Sequence, residues 1–245
     1  AAATAYRTLH RDDYRRVVVV APSHHGAFEG FALDDVAAYR TPLGDIPLAA
    51  DAIAALRDDK RIRKVEWVTE PEHAVEIELP FLQETLGSFT LVPILAGRTT
   101  PAMERQLAGK LAMLNDGKTL FVFSSDFTHY GPRFSYMPYG PTAAALPKIR
   151  DLNGRAIDTL TRIDPAAFRA YLTETGNSIC GHVGIAVALE MLSAMSPRPN
   201  ATLLAHYASG EMAGVQDDSS VSYVAIAYTR EKSSAGKPLE APPAY

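Results

Sequence analysis

The sequence predicts an α/β fold: one domain built on a mixed, mostly parallel sheet flanked by helices. Three observations carry this. Val17-Val18-Val19-Val20 and Leu120-Phe121-Val122-Phe123 are short unbroken apolar runs bounded by turn residues, the pattern of strands buried on both faces. Stretches with helical signals alternate with such runs along the chain, which favours a parallel arrangement with helices packed on it. With 245 residues, 47% hydrophobic and 21% charged, the chain is long enough for one sizeable core.

Taken in order, a first helix is expected over Ala2 to Leu9, then the strand Val17 to Val20. A loop holding Tyr39-Arg40-Thr41-Pro42-Leu43-Gly44-Asp45 precedes a helix over Leu48 to Arg57. Val65 to Val68 reads as a short strand leading into Glu70-Pro71-Glu72-His73. Pro71 suits the first turn of a helix and the acidic residues complement its dipole, so a helix is expected from there to Leu86, stopped by Gly87. Phe89 to Leu95 reads as strand, Pro101 to Leu114 as helix and Leu120 to Ser124 as strand. Ala143 to Tyr171 is helical in two pieces, the second capped by Asp164 with Pro165 in its first turn. A helix over Val183 to Met195 and strands over Ala201 to Tyr207 and Val221 to Tyr228 close a domain spanning residues 1–230. Asp217-Asp218-Ser219-Ser220 reads as a turn, and residues 231–245, rich in Pro and Ser, as a flexible tail.

Composition narrows the function. A net charge of -4 carries no nucleic-acid footprint, and there is no polybasic run for an anionic membrane. No apolar stretch reaches the roughly 20 residues of a membrane span, and no signal peptide is visible. The single cysteine, Cys180, rules out an internal disulfide framework and fits a reducing cytoplasm. No phosphate loop, dinucleotide-binding glycine turn or Gly-x-Ser-x-Gly elbow occurs, which removes the usual kinase, dehydrogenase and hydrolase readings. The opening Ala1-Ala2-Ala3-Thr4-Ala5-Tyr6 has the character of a helix interior, and a segment upstream of it is expected.

Four constellations carry chemistry. Pro22-Ser23-His24-His25 follows the valine strand directly, at the sheet edge where ligands collect in open α/β folds, and neutral imidazole is the commonest metal ligand. Ser124-Ser125-Asp126-Phe127-Thr128-His129 follows a second strand; Asp126 is close enough in sequence to orient His129 or to share its proton, or else to cap the turn that follows. In Glu72-His73-Ala74-Val75-Glu76, His73 and Glu76 would be neighbours on a helix, as an acid/base pair or as a pair that steadies its first turn. In Asn177-Ser178-Ile179-Cys180-Gly181-His182 the cysteine precedes a helix start, where a thiol becomes a better nucleophile or soft metal ligand; the other reading is a small buried hydrophobe.

Ala21-Pro22-Ser23-His24-His25, Tyr39 to Asp45, Glu72 to Glu76, Ser124-Ser125-Asp126-Phe127-Thr128-His129-Tyr130-Gly131 and Ile179-Cys180-Gly181 occur in the order seen in the Memo family, and the chain resembles that family from about Val17 to Tyr228. Prokaryotic members are called AmmeMemoRadiSam system protein B. The family is similar in fold to class III extradiol dioxygenases of the LigB type, which are non-haem Fe(II) enzymes.

The resemblance implies a metal site of two histidines and a cysteine, with Fe(II) the first expectation and Cu or Zn the others. The matching positions are His24 and Cys180 as metal ligands. The family's other histidine lies in an Ala-Pro-His-Ala-Gly motif that this chain does not contain, so His25, His73 or His129 would substitute. In this picture His129 is the acid/base and Asp126 orients it, while His25, His73 and Glu76 line the substrate pocket. The expected activity is a dioxygenase-like oxidoreductase acting on a small molecule. The alternatives are a metal- or peptide-binding module without turnover, and a hydrolase using Cys180 as nucleophile with His129. The family name further implies radical-SAM and AMMECR1-like partner proteins.

Overall fold

The computed structural model describes residues 1–212 and 217–230, so the expected tail falls outside the described residues. Its centre is β1 (Arg16–Pro22), paired in parallel with β6 (Thr90–Ala96) on one side and β7 (Thr119–Phe123) on the other. Beyond β6 lie β2 (Phe31–Leu33), antiparallel to it, and β5 (Ile62–Arg63), giving a five-stranded mixed sheet in the order β5-β2-β6-β1-β7. The register sets Val18 against Val92 and Phe121, and Val20 against Ile94 and Phe123.

The unbroken valine run has a simple cause. Side chains alternate across a strand, and both faces of β1 are covered. Val18 and Val20 enter a core built from α2 (Ala50–Arg57), α5 (Pro101–Met113), α6 (Thr142–Thr161), α7 (Pro165–Thr175) and α8 (His182–Ser193), with Leu107, Leu111, Phe168 and Leu189 fully buried there. Val17 and Val19 enter a second core with Leu79, Leu82 and Leu86 of α4 (Leu79–Leu86), Val68 of α3 (Glu66–Thr69) and Tyr6 of α1 (Ala2–Tyr6). The two cores cover opposite faces of β1, so the molecule has three layers.

Several local expectations hold for identifiable reasons. The Asp164 side chain accepts from the Ala167 N–H at 2.9 Å and caps α7, with Pro165 in the first turn. Thr100 caps α5 in the same way. Gly87, at φ 79°, ends α4 as expected of a C-terminal glycine.

Others are corrected. Val65 to Val68 is not a strand: Val65 caps α3, and Val65 and Val68 are buried three residues apart while Trp67 stays exposed, which is a helical period. The helix expected from Pro71 begins only at Leu79, after turns and a 3₁₀ turn over Glu76–Glu78, because the Glu72 carboxylate takes the His73 and Ala74 N–H groups into a local loop. The Tyr39 to Asp45 loop is a hairpin of β3 (Ala38–Thr41) and β4 (Gly44–Pro47). The closing strands, β9 (Asn200–Ala208) and β10 (Ser220–Thr229), do not join the main sheet; with β8 (His129–Tyr130) they form a separate antiparallel sheet in the order β8-β10-β9. None of the described helices is long and apolar enough to cross a membrane.

Candidate metal centre

The carboxyl ends of β1 and β7 are adjacent, because the two strands are paired in parallel along their length. His24 and His25 leave from β1, Asp126 from the loop after β7, and His129 from β8, which β10 holds by pairing Val221 with His129. Cys180 arrives from the other side, in the turn before α8. That turn is pressed onto the end of β7: a Cβ on Gly181 would stand 2.5 Å from the Ser124 carbonyl oxygen, so only glycine fits after the cysteine.

The cysteine sulfur accepts the Asp126 N–H at 3.2 Å, and Cys180 lies near enough to the His24 ring to act on its charge. The first consequence is electrostatic. Cys180 is the largest influence on His24; burial opposes it, Glu72 reinforces it, and the imidazolium is pushed up to about 9 from its ordinary 6.5. Asp126 is raised as well, by burial, partly offset by His129 and His24, so one carboxylate senses both imidazoles. His24, Cys180, Asp126 and His129 therefore form one cluster.

Each ring is tied at Nδ1. His24 Nδ1 donates to Glu72 Oε1 at 3.0 Å, and the carboxylate also accepts the His24 N–H. The Glu72 side chain is only 1% exposed against 40% for the His24 ring. Burial works against the ionised Glu72, but the His24 and Ala74 hydrogen bonds outweigh it and hold its pKa below the usual glutamate value. His129 Nδ1 lies 3.0 Å from the Ser178 carbonyl oxygen, which can only accept, so Nδ1 carries the proton and Nε2 is left facing Asp126 Oδ2 at 3.9 Å. The Ser178 hydroxyl fixes the same residue through its backbone, accepting the His129 N–H at 2.9 Å and donating to its carbonyl at 2.7 Å.

The remaining expected site residues lie further out. The His73 ring stacks on His24 with centroids 5.2 Å apart, and His25 meets His73 edge-on at 6.3 Å. Glu76 is exposed on its 3₁₀ turn and is not drawn into the histidine cluster; Glu72 takes the position beside His24. Sequence reasoning passed over Glu72 because both acids belong to the same five-residue motif, and only the late start of α4 decides which one faces inward. Ser178 went unassigned too, its contribution coming from a backbone carbonyl that any residue supplies. Donor atoms of His24, Glu72 and His73 come within 4.8 Å of one another, a group of three that could hold a metal ion. Beside the cluster opens a cavity of about 520 Å³, lined among others by Ser23, Gly26, Arg98, Cys180 and His182.

The fold and the site define a three-layer α/β protein with nitrogen and sulfur donors gathered at the carboxyl edge of a mixed sheet. The chain belongs to the Memo family: the Memo-like protein family matches residues 1–227. It is 33% identical over 233 residues to Protein memo-1 homolog of Caenorhabditis elegans, covering 91% of this chain and 66% of that protein. It is 33% identical over 238 residues to Protein MEMO1 of Rattus norvegicus, covering 93% of this chain and 80% of that protein. Among solved structures, an uncharacterized Escherichia coli K12 protein superposes with a TM-score of 0.51 at 16% identity over 90% of each chain, a likeness of fold alone.

Proposed function

We propose that this Memo-family protein binds a transition metal through His24 and Cys180 and uses it in oxidoreductase chemistry of the dioxygenase-like type, with Fe(II) the first candidate and Cu or Zn the others. The observation that carries this reading is the disposition of His24: Nδ1 is committed to a buried carboxylate while the ring lies beside the one thiol of the chain. Imidazole and thiolate suit borderline and soft ions, and the exposed His73 ring offers a third donor alongside. When bound, such a metal supplies Lewis-acid polarisation and redox capacity. The protein's own residues do the rest. His24 and Cys180 hold the ion, and the Asp126 N–H steadies the sulfur. His129, its proton fixed on Nδ1, offers Nε2 as a base toward the cluster, with Asp126 as its carboxylate neighbour. His73, stacked on His24, and His25, edge-on to His73, stand where a small molecule would approach the ion.

The test is anaerobic Fe(II) titration of the purified protein with metal analysis, followed by oxygen uptake in the presence of catechols. Stoichiometric iron that is lost in both His24→Ala and Cys180→Ala supports the site, and oxygen uptake supports the reaction. Iron retained by both variants ends the reading. The exposure of His24 and His73 favours a second reading, a metal- or peptide-binding module without turnover, because an open site does not exclude water. Metal bound tightly with no oxygen uptake would select it. A cytoplasmic location and association with radical-SAM and AMMECR1-like partners complete the proposal, and co-purification from a native host tests the partners.

A further inference from the structure

Glu72 brings a heavily hydrogen-bonded carboxylate to the site. Oε2 accepts the His24 N–H. Oε1 accepts from His24 Nδ1, the His73 N–H and the Ala74 N–H, each at 3.0 Å. A carboxylate has about four lone-pair positions, two on each oxygen; three donors crowd Oε1, and Oε2 carries the His24 N–H. The side chain is 1% exposed, so water offers no alternative partner. Of the three residues whose donor atoms approach one another within 4.8 Å, the glutamate is the one most heavily engaged by the protein itself.

We propose that Glu72 is a positioning residue: its carboxylate fixes the His24 ring with the proton on Nδ1, so that the Nε2 lone pair is the one presented to the Cys180 side and to a metal. The proposal rests on the metal-binding reading above and assigns Glu72 a task within it. An ionised carboxylate only accepts, so the Nδ1 contact admits one tautomer of a neutral imidazole. Carboxylate–histidine pairs of this kind raise the basicity of the coordinating nitrogen and set its direction. The selection is specific to His24. The His73 Nδ1 stands 3.4 Å from the same oxygen, and its side chain is 57% exposed, so its ring is not fixed. The same carboxylate joins the loop after β1 to the loop before α4, and a purely structural staple would do only that.

The experiment uses the full chain with ¹⁵N-labelled histidine and Zn(II) as the probe. In the wild-type protein the long-range ¹H–¹⁵N spectrum is expected to show His24 protonated at Nδ1 and zinc-shifted at Nε2. Glu72→Gln leaves one oxygen acceptor for four donors; zinc affinity is expected to fall 10- to 100-fold, with a mixed tautomer pattern at His24. His73→Gln, which leaves both His24 contacts in place, is expected to keep the wild-type His24 tautomer in the metal-free protein. Zinc on Nδ1 in the wild type, or a folded Glu72→Gln protein with unchanged affinity and tautomer, overturns the proposal. If Glu72→Gln does not fold, the wild-type spectrum decides. If the wild type binds no zinc, the metal-binding reading falls, and the metal-free spectrum in alkaline solution, where the ring is neutral, still decides the role of Glu72.

Discussion

The ends of β1 and β7 look alike as sequence: an apolar strand, a short polar turn, a histidine. In the folded chain they are electrostatically different. His24 is backed by a buried carboxylate and flanked by a thiol, and holds its proton up to about 9. His129 is backed by the Ser178 carbonyl, packs edge-on against Phe134 at 4.9 Å, and has its nearest carboxylate at 3.9 Å. The strands beneath them differ in the same sense. β1 lies between two neighbours, with Val17 to Val20 at 0% exposure, whereas β7 is the last strand of its sheet and Leu120 to Phe123 are only half-buried. The comparison teaches that a strand-end histidine is given its chemistry by what stands behind the ring, and that the motif itself is silent on this.

The largest expected effect breaks the comparison at the metal. Outer-shell partners commonly cost 10- to 100-fold in metal affinity, so removing a ligand should cost at least about 100-fold. His24→Ala and Cys180→Ala should each do so by calorimetric titration, while His129→Gln keeps the wild-type value. Equal losses at both histidines would place the ion between the two loops instead.

Next comes stability. Val19→Ala removes two fully buried methyl groups from the middle of the sheet and should cost about 2–3 kcal/mol in a urea melt. Val122→Ala, on the open strand, should cost about 1 kcal/mol. Equal costs would mean that β7 is covered as fully as β1.

A smaller effect is the pH profile of the metal-free protein. His24 has a folded pKa above its ordinary 6.5, so its contribution is fully present below 6.5 and is lost as pH rises through about 9. Glu72 has a depressed pKa, so its contribution is present above 4.5 and is lost as pH falls below that value. Melting temperature should therefore decline on both sides of neutrality, and His24→Gln should flatten the alkaline limb. The 40% exposed ring is partly screened by solvent, which keeps this effect modest. Parallel profiles for the two proteins would remove His24 as the cause. The smallest effect sharpens the same point: because His24 is a cation at neutral pH, metal uptake should release a proton. Titration in buffers of different ionisation enthalpy measures this, and the share released by His24 should disappear as the pH is raised past about 9.

Much of this protein is determined locally and could be read from its sequence. Four β-branched residues between charged and turn residues make a strand covered on both faces in any compact chain. Asp164 before Pro165 starts a helix, and Gly87 ends one, through backbone geometry that needs no distant partner. The same rule places His24 and His129 at strand ends. The tertiary structure decided the rest. Whether Val65 to Val68 would be strand or helix depended on which side chains the sheet would bury. Whether Glu72 or Glu76 would stand behind His24 depended on where α4 could begin. Cys180 becomes a neighbour of His24 only when α8 is pressed against the ends of β1 and β7, across more than half the chain. Short-range sterics fix secondary structure within a few residues, whereas the protonation state of a ring is set by charges a few ångströms away in space, and those arrive from segments that only packing brings together.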